Sequence, residues 1–159
     1  MTPNERPTVR ESGIVDVGFG AGVTVVAPVN MYGCTVGAGT FVGPFCEIQK
    51  GASVGRNCRI QSHSFICELV TIGDDCFIGH GVMFVNDLFK DGGPARGDRS
   101  KYKATKVGNR VSIGSNCTIL PVEIADGTVI GAGAVVVDDI TQPGVYAGNP
   151  ARRLRALPG

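Results

Sequence analysis

The chain has 159 residues and a formal net charge of +1 at pH 7. This length suits one domain over residues 1–159, and the charge offers no bulk attraction to nucleic acid or to an anionic membrane surface. No apolar run approaches the roughly 18 residues of a membrane-spanning helix. We therefore predict a single domain that binds neither nucleic acid nor a membrane.

Residues 1–13 form a polar N-terminal segment, MTPNERPTVRESG. A secretory signal would place an apolar stretch in this region, and the segment has none. The sequence therefore predicts a cytoplasmic protein.

A six-residue repeat begins soon afterwards and organises most of the chain. Its aliphatic or aromatic positions follow one another without a break: Val36, Val42, Ile48, Val54, Ile60, Ile66, Ile72, Ile78 and Phe84. A fainter stretch precedes them, at Val17, Val23 and Val29. After residue 106 the pattern resumes and slips once by one residue, at Val107, Ile113, Ile119, Ile124, Ile130 and Val136.

The six-residue spacing excludes an α-helix, whose period is 3.6, and exceeds the simple alternation of a strand. Glycine often follows the aliphatic residue, as at Gly37 and Gly43, which predicts corners that need positive φ or close approach of the backbone. Three such strands make a triangular coil of eighteen residues, and coils stack about 4.8 Å apart. The repeat resembles the hexapeptide left-handed parallel β-helix. We expect an all-β fold of about five coils.

The six cysteines fit this pattern as core residues. Five occupy the small inward position two residues before the repeating aliphatic residue: Cys34, Cys46, Cys58, Cys76 and Cys117. Cys67 falls at a corner. Free cysteine behaves as a small apolar residue, so all six are predicted to be reduced, as is usual in the cytoplasm.

One face of the predicted helix carries outward apolar residues. We assign Phe45, Phe65 and Met83 to it, together with the strands that begin at residues 42, 60 and 78. Large apolar groups do not usually stack on a solvated surface. This face is therefore predicted to be a subunit interface, and the family resemblance implies a homotrimer.

The repeat breaks after Asn86, and residues 87–106 form an insertion of about twenty residues. A loop of this length inside a compact scaffold is usually functional or disordered. Its excess of lysine and arginine suits a phosphate-bearing substrate, with Arg96 and Lys101 as candidate contacts. Lys50, Glu68 and Asn86 lie eighteen residues apart and should form a polar column beside the loop.

The C-terminal third resembles the acyl-CoA-binding end of hexapeptide acyltransferases in "IGSNCTILP", "VIGAGAVV" and "VYAGNPARRLRAL". "FVND" followed by an insertion resembles, more narrowly, bacterial N-acetyltransferases that modify nucleotide-linked amino sugars for surface-polysaccharide synthesis. The resemblance implies acetyl-CoA as co-substrate and no metal.

The resemblance also implies which residues meet acetyl-CoA. Backbone or small side chains next to the pantetheine match Gly114, Ser115, Ala132 and Gly133. In the C-terminal tail, residues 148–159, Arg152 and Arg155 match basic groups near the CoA phosphates. Many relatives have Thr-Lys where this chain has Val137-Asp138, a departure that affects contacts to the adenosine phosphate.

Acyl transfer to an amine needs a base and an oriented nucleophile. Both histidines of the chain, His63 and His80, lie near the predicted interface. We rank His80 first as the base and His63 next, and also assign His63 to substrate binding. Asn86 and Asp87 are expected to hold the amine, with Glu68 supporting them.

Three other functions remain open from the sequence. O-acetylation of a sugar or serine is the nearest, but many O-acetylating relatives carry a histidine in the inserted loop, and this loop has none. A γ-type carbonic anhydrase needs three metal-binding histidines, and the chain has two. A non-catalytic β-helical scaffold would need neither the insertion nor the "GNPAR" ending.

Overall fold

The computed structural model describes residues 7–157, so parts of the predicted N-terminal segment and C-terminal tail lie outside the described residues. The chain is a parallel β-solenoid of about seven turns, which confirms the β-helix of hexapeptide repeats. There are more turns than the five expected. The faint repeats near Val17 and Val23 and the residues after Val136 also form coils.

Sheet A contains seven parallel strands, one from each turn. They are β1 (Ile14–Val15), β4 (Asn30–Tyr32), β7 (Glu47–Ile48), β10 (Phe65–Ile66), β13 (Met83–Phe84), β16 (Thr118–Ile119) and β19 (Val135–Val136).

Sheet B contains six parallel strands. They are β2 (Gly18–Phe19), β5 (Thr35–Val36), β8 (Ser53–Val54), β11 (Val70–Ile72), β14 (Thr105–Val107) and β17 (Glu123–Ile124).

Sheet C contains eight strands and closes the triangle. They are β3 (Thr24–Val25), β6 (Phe41–Val42), β9 (Arg59–Ile60), β12 (Phe77–Ile78), β15 (Ser112–Ile113), β18 (Val129–Ile130), β20 (Val145–Ala147) and β21 (Arg152–Arg155). β21 runs antiparallel to β20, so the C-terminal tail ends the stack as a hairpin.

The repeating aliphatic residues point inward and are buried from Val36 to Phe84, as the spacing predicts. The five cysteines at the small inward position are also buried. Hydroxyl groups occupy the same position in other coils, and those of Thr40 and Ser64 reach a carbonyl of the next coil. Thr40 Oγ1 donates to Gly55 O at 2.8 Å, and Ser64 Oγ donates to Gly79 O at 3.0 Å.

The corner glycines permit close approach between coils. A Cβ on Gly37 would lie 2.6 Å from the Gly55 carbonyl carbon, and one on Gly79 would lie 2.6 Å from Ser115 N. Neither glycine has positive φ. The left-handed residue comes two positions later in each turn, and it is Phe45 (φ 61°) and His63 (φ 65°) in two successive coils.

The predicted apolar face is wrong in part. Phe65 and Met83 are neighbours on the outer surface of sheet A, paired in register. The strands that contain residues 42, 60 and 78 belong instead to sheet C. Phe45 lies at the corner between the two sheets, because its left-handed backbone turns the chain there.

The insertion leaves the solenoid between β13 and β14 and contains one short 3-10 helix, Arg99–Lys101. Its predicted end at residue 106 lies too late, because Thr105 and Lys106 already pair with Val70 and Thr71. Within residues 7–157, no helix has the length and apolar character needed to cross a membrane.

Candidate functional site

The turns that lead from sheet C into sheet A stack into one column, which we call the His80 corner. Its members occupy the same place in five successive coils: Pro44, Ser62, His80, Ser115 and Ala132. Main-chain hydrogen bonds link the coils here: Asn116 N donates to His80 O, and Gly133 N donates to Ser115 O, both at 2.8 Å. The structure therefore places His80 next to the predicted CoA-binding residues Gly114, Ser115, Ala132 and Gly133.

The His80 side chain is exposed at this corner, and one of its ring nitrogens has a partner. Nδ1 lies 2.9 Å from the hydroxyl oxygen of Ser62 in the preceding coil. Nε2 is the nitrogen left to meet a substrate.

His63 occupies the neighbouring position of the same corner. Its ring stacks on Phe45, with 4.9 Å between ring centroids and 29° between planes. Phe45 is 57% exposed. A shallow depression of about 280 Å³ adjoins it and is lined in part by Ser12, Asn30 and Glu47. This end of the corner can therefore offer both an aromatic surface and polar groups to a ligand.

The turns that lead from sheet A into sheet B form a second column, which we call the loop corner. It contains Lys50, Glu68 and Asn86, as the eighteen-residue spacing predicts. Asn86 Nδ2 donates to Glu68 O at 3.3 Å, and Lys103 N donates to Asn86 O at 2.9 Å. Asn86 thus connects the preceding coil to the end of the inserted loop.

Asp87 and Glu68 also hold the loop. The two carboxylate oxygens of Asp87 accept hydrogen bonds from Phe89 N at 3.0 Å and Ala95 N at 2.7 Å. Glu68 Oε2 accepts from Arg99 Nε at 2.8 Å. Both carboxylates predicted to serve the acceptor amine are therefore bound to the loop itself.

The two predicted loop cations differ in their surroundings. Lys101 Nζ lies 2.9 Å from Asp91 Oδ2. Arg96 is exposed on a left-handed turn of the loop (φ 53°). Nearby, hydrogen bonds from the Ser100 side chain and backbone lower the pKa of Asp98.

The structure does not bring His80 and Asn86 together within one chain. The two residues end opposite edges of sheet A, separated by six residues of extended chain, or roughly 20 Å. A base and the proton that it removes must come within hydrogen-bond distance. His80 and Asn86, predicted to act together on the acceptor amine, therefore cannot meet the same nitrogen within a single subunit.

The C-terminal arginines lie on β21, the edge strand of sheet C. Arg152 Nη1 is 3.3 Å from Asp138 Oδ2, and both side chains are exposed. Asp138, which stands where many relatives have lysine, thus forms an ion pair with Arg152, a residue predicted to contact the CoA phosphates. Arg155 Nη1 donates to the main-chain oxygen of Ala156 at 3.3 Å.

Three residues of these sites escaped the sequence interpretation: Ser62, Arg99 and Asp138 in its role as the partner of Arg152. Ser62 had a usable signal, because it lies eighteen residues before His80. Arg99 had none, because the inserted loop has no repeat that predicts its contacts. Among residues 7–157, no group of three or more histidine, cysteine, aspartate or glutamate side chains is arranged to hold a metal ion.

A larger depression of about 360 Å³ lies on sheet B, away from both corners. Its lining includes Glu123, Asp126 and Asp139. Their negative charge opposes the binding of a phosphate-bearing substrate, so this depression is not assigned to the site.

Two repeat models match the chain: bacterial transferase hexapeptide over residues 33–68, and hexapeptide repeat of succinyl-transferase over residues 69–83 and 104–137. Together they cover more than half of the chain. The chain belongs to the hexapeptide-repeat transferase family. The interruption of the second match coincides with the inserted loop.

One relative matches two thirds of the chain in sequence. The bifunctional protein GlmU of Latilactobacillus sakei is 43% identical over 108 residues, which is 67% of this chain and 21% of GlmU. The chain therefore spans about a fifth of that relative's length.

Solved structures extend the comparison. A hexapeptide-repeat acetyltransferase from Vibrio cholerae, in complex with acetyl-CoA, is 25% identical, covers 88% of this chain and 70% of its own, and has a TM-score of 0.58. AntD, an N-acyltransferase from Bacillus cereus in complex with dTDP and 3-hydroxybutyryl-CoA, is 18% identical with a TM-score of 0.76 and covers 89% and 82%. At that identity, AntD supports the fold alone.

Proposed function

We propose that this protein transfers an acetyl group from acetyl-CoA to the amine of an amino sugar carried on a nucleotide. The observation that carries the proposal is the His80 corner. An exposed imidazole lies there, one coil from Ser115 and two from Ala132, in a family whose acetyltransferase from Vibrio cholerae is known with acetyl-CoA.

The geometry suits a thioester delivered from the C-terminal coils. Coils are about 4.8 Å apart, so a pantetheine beside Ala132 and Ser115 reaches His80 after roughly 10 Å. Arg152 and Arg155 lie at the same end of the solenoid, where guanidinium groups can meet the CoA phosphates.

His80 then serves as the base for the acceptor amine. The amine nitrogen attacks the thioester carbonyl carbon, and Nε2 takes a proton from that nitrogen. The tetrahedral oxyanion collapses, the carbon–sulfur bond breaks, and the CoA thiolate recovers the proton from the imidazolium. The products are an amide and free CoA.

The acceptor occupies the N-terminal side of His80. Phe45 and His63 offer a stacked aromatic surface one to two coils away, which suits the nucleobase of the carrier nucleotide. The loop cations, Arg96 first, suit its phosphates. AntD binds dTDP together with an acyl-CoA on the same fold, and its nucleotide is one probe for this assignment.

A homotrimer would join the two edges of sheet A. Residues about 20 Å apart in one chain meet if the His80 corner of one subunit faces the inserted loop of the next. The outward pair of half-buried Phe65 and exposed Met83 lies between the two corners and is the proposed contact surface. In this assembly Asn86 and Asp87 hold the loop so that it covers the neighbour's acceptor.

The test is release of CoA thiol from acetyl-CoA across a panel of nucleotide-linked amino sugars, free amino sugars and free serine. Saturable release with one or more nucleotide amino sugars, and N-acetylation of that sugar by mass spectrometry, supports the proposal. Acetylation of hydroxyl acceptors alone would establish O-acetylation instead. We further propose that the acetylated sugar is used in surface-polysaccharide synthesis.

A further inference from the structure

The side chain of Ser62 makes one specific contact at the His80 corner. Its hydroxyl oxygen lies 2.9 Å from His80 Nδ1, across eighteen residues of sequence and one coil of the solenoid. In a neutral imidazole one nitrogen carries hydrogen and the other a lone pair, so a partner at Nδ1 influences what Nε2 presents.

The backbone of His80 is fixed independently of Ser62. The His80 carbonyl accepts from Asn116 N at 2.8 Å, and Gly81 N donates to Ser62 O at 3.0 Å. Gly79 allows the Ser115 backbone to pass close by. With the backbone held by both neighbouring coils, the hydroxyl of Ser62 acts on the ring alone.

The fold itself does not require a hydroxyl at this place. The same corner position is filled by Pro44 and Ala132, which carry no hydroxyl, in two other coils. The hydroxyl of Ser62, one coil before His80, therefore interacts with the imidazole ring and is not needed to form the solenoid.

We propose that Ser62 is a positioning residue for the acyl transfer. It accepts a hydrogen bond from His80 Nδ1–H and so favours the tautomer in which Nε2 has a free lone pair. That nitrogen takes the proton of the attacking amine and returns it to the leaving thiolate, while the Nδ1 proton stays on the ring throughout. This inference rests on the proposed function for its catalytic consequence, but the tautomer can be measured without activity.

The experiment combines nuclear magnetic resonance with kinetics on the full chain. The chain has only two histidines, so ¹⁵N-labelled imidazole signals are assigned with a single His63→Gln variant. We compare the wild type with Ser62→Ala, which removes the hydroxyl, and Ser62→Thr, which restores it. Ser53→Ala, on sheet B, is a matched control for the loss of a serine hydroxyl outside the corner.

We expect the wild type to show His80 largely protonated at Nδ1 when the ring is neutral. Ser62→Ala should raise the fraction protonated at Nε2 and lower kcat by roughly three- to tenfold, the effect of losing one ordinary hydrogen bond. KM for acetyl-CoA should stay within about twofold of the wild-type value. Ser62→Thr should restore both tautomer and kcat, and Ser53→Ala should match the wild type.

An unchanged His80 tautomer in Ser62→Ala overturns the inference, whatever the activity does. So does a loss of kcat that Ser62→Thr does not restore, because the defect would then lie in the packing of the corner. If the wild type transfers no acetyl group to any amine, the proposed function fails. If the His80 tautomer nevertheless changes in Ser62→Ala, Ser62 orients the imidazole ring but has no role in acyl transfer. That result also refutes the proposal that Ser62 is a positioning residue for the reaction.

Discussion

Arg99 and Glu68 form an ion pair that fastens the inserted loop to the solenoid. Arg99 Nη2 lies 2.5 Å from Glu68 Oε2, and the two residues are 31 positions apart in the chain. Together with the two loop amides bound by Asp87, this contact ties the loop to the solenoid. Glu68 and Asp87, predicted to serve the acceptor amine, thus have a structural task in holding the loop.

Asp87→Asn tests that task. The amide keeps one acceptor oxygen and loses the second, so one of the bonds to Phe89 N or Ala95 N is lost. Hydrogen exchange of the affected loop amide should accelerate by roughly tenfold or more, while kcat falls and KM for acetyl-CoA is unchanged. Asn86→Ala should likewise lower turnover and leave CoA binding intact. Unchanged exchange in Asp87→Asn would show that the loop does not depend on this carboxylate.

His80→Ala tests the proposed base. Its loss should lower kcat/KM by about 10²–10⁴-fold, the usual range for general base catalysis. His63→Ala is the control: it should weaken acceptor binding and lower kcat much less. If both variants retain wild-type rates, neither histidine takes part in proton transfer.

Phe65→Glu tests the proposed trimer contact. Met83 is 41% exposed next to Phe65 on sheet A, and a carboxylate there would have to be buried without a partner. The dissociation constant of the trimer should rise by on the order of 30-fold or more, as measured by sedimentation at micromolar concentration. Phe77→Glu changes a phenylalanine that is 40% exposed on sheet C and should leave the trimer intact. A monomeric wild type contradicts the proposal.

Substitution of the C-terminal arginines and substitution of Asp138 should change KM for acetyl-CoA in opposite directions. Arg152→Ala combined with Arg155→Ala should raise KM for acetyl-CoA by roughly tenfold or more, because charge-assisted hydrogen bonds to phosphate are lost. Asp138→Asn removes the competing partner of Arg152 and should lower the same KM. Steady-state kinetics with varied acetyl-CoA distinguishes these results. Unchanged saturation in the double variant would place CoA elsewhere.

Cys58→Ser should lower the free energy of unfolding less than its position in an apolar stack indicates. A hydroxyl buried in an apolar stack costs roughly 1–3 kcal/mol, yet Cys58 Sγ already lies 3.1 Å from Gly73 O. The serine can donate to that carbonyl as Thr40 and Ser64 do in other coils. We expect the free energy of unfolding to change by less than about 1 kcal/mol.

Cys67→Ser is the matched comparison. Burial raises the pKa of the Cys67 thiol to about 12, and no carbonyl acceptor for its sulfur is present in the described part of the chain. The free energy of unfolding of this variant, measured by urea denaturation, should fall by the full amount of roughly 1–3 kcal/mol. Equal losses at the two positions would show that the Gly73 carbonyl does not accept from the new hydroxyl.

The sequence by itself determined the solenoid and the direction of its side chains. A six-residue period is incompatible with a helix, and each inward aliphatic residue from Val36 to Phe84 is buried as the period requires. The eighteen-residue coil likewise predicts that Lys50, Glu68 and Asn86 share one column. These relationships depend only on spacing along a regular backbone, and spacing is visible in the sequence.

Only the tertiary structure decided which corner each residue occupies and what it meets there. The spacing puts His80 and Asn86 six residues apart, and only the strand assignments show that these six residues run across sheet A from the His80 corner to the loop corner. The contacts of Arg99 and Asp87 depend on a loop that has no period. The carbonyl beside Cys58 belongs to the next coil, and its availability follows from how the backbones stack.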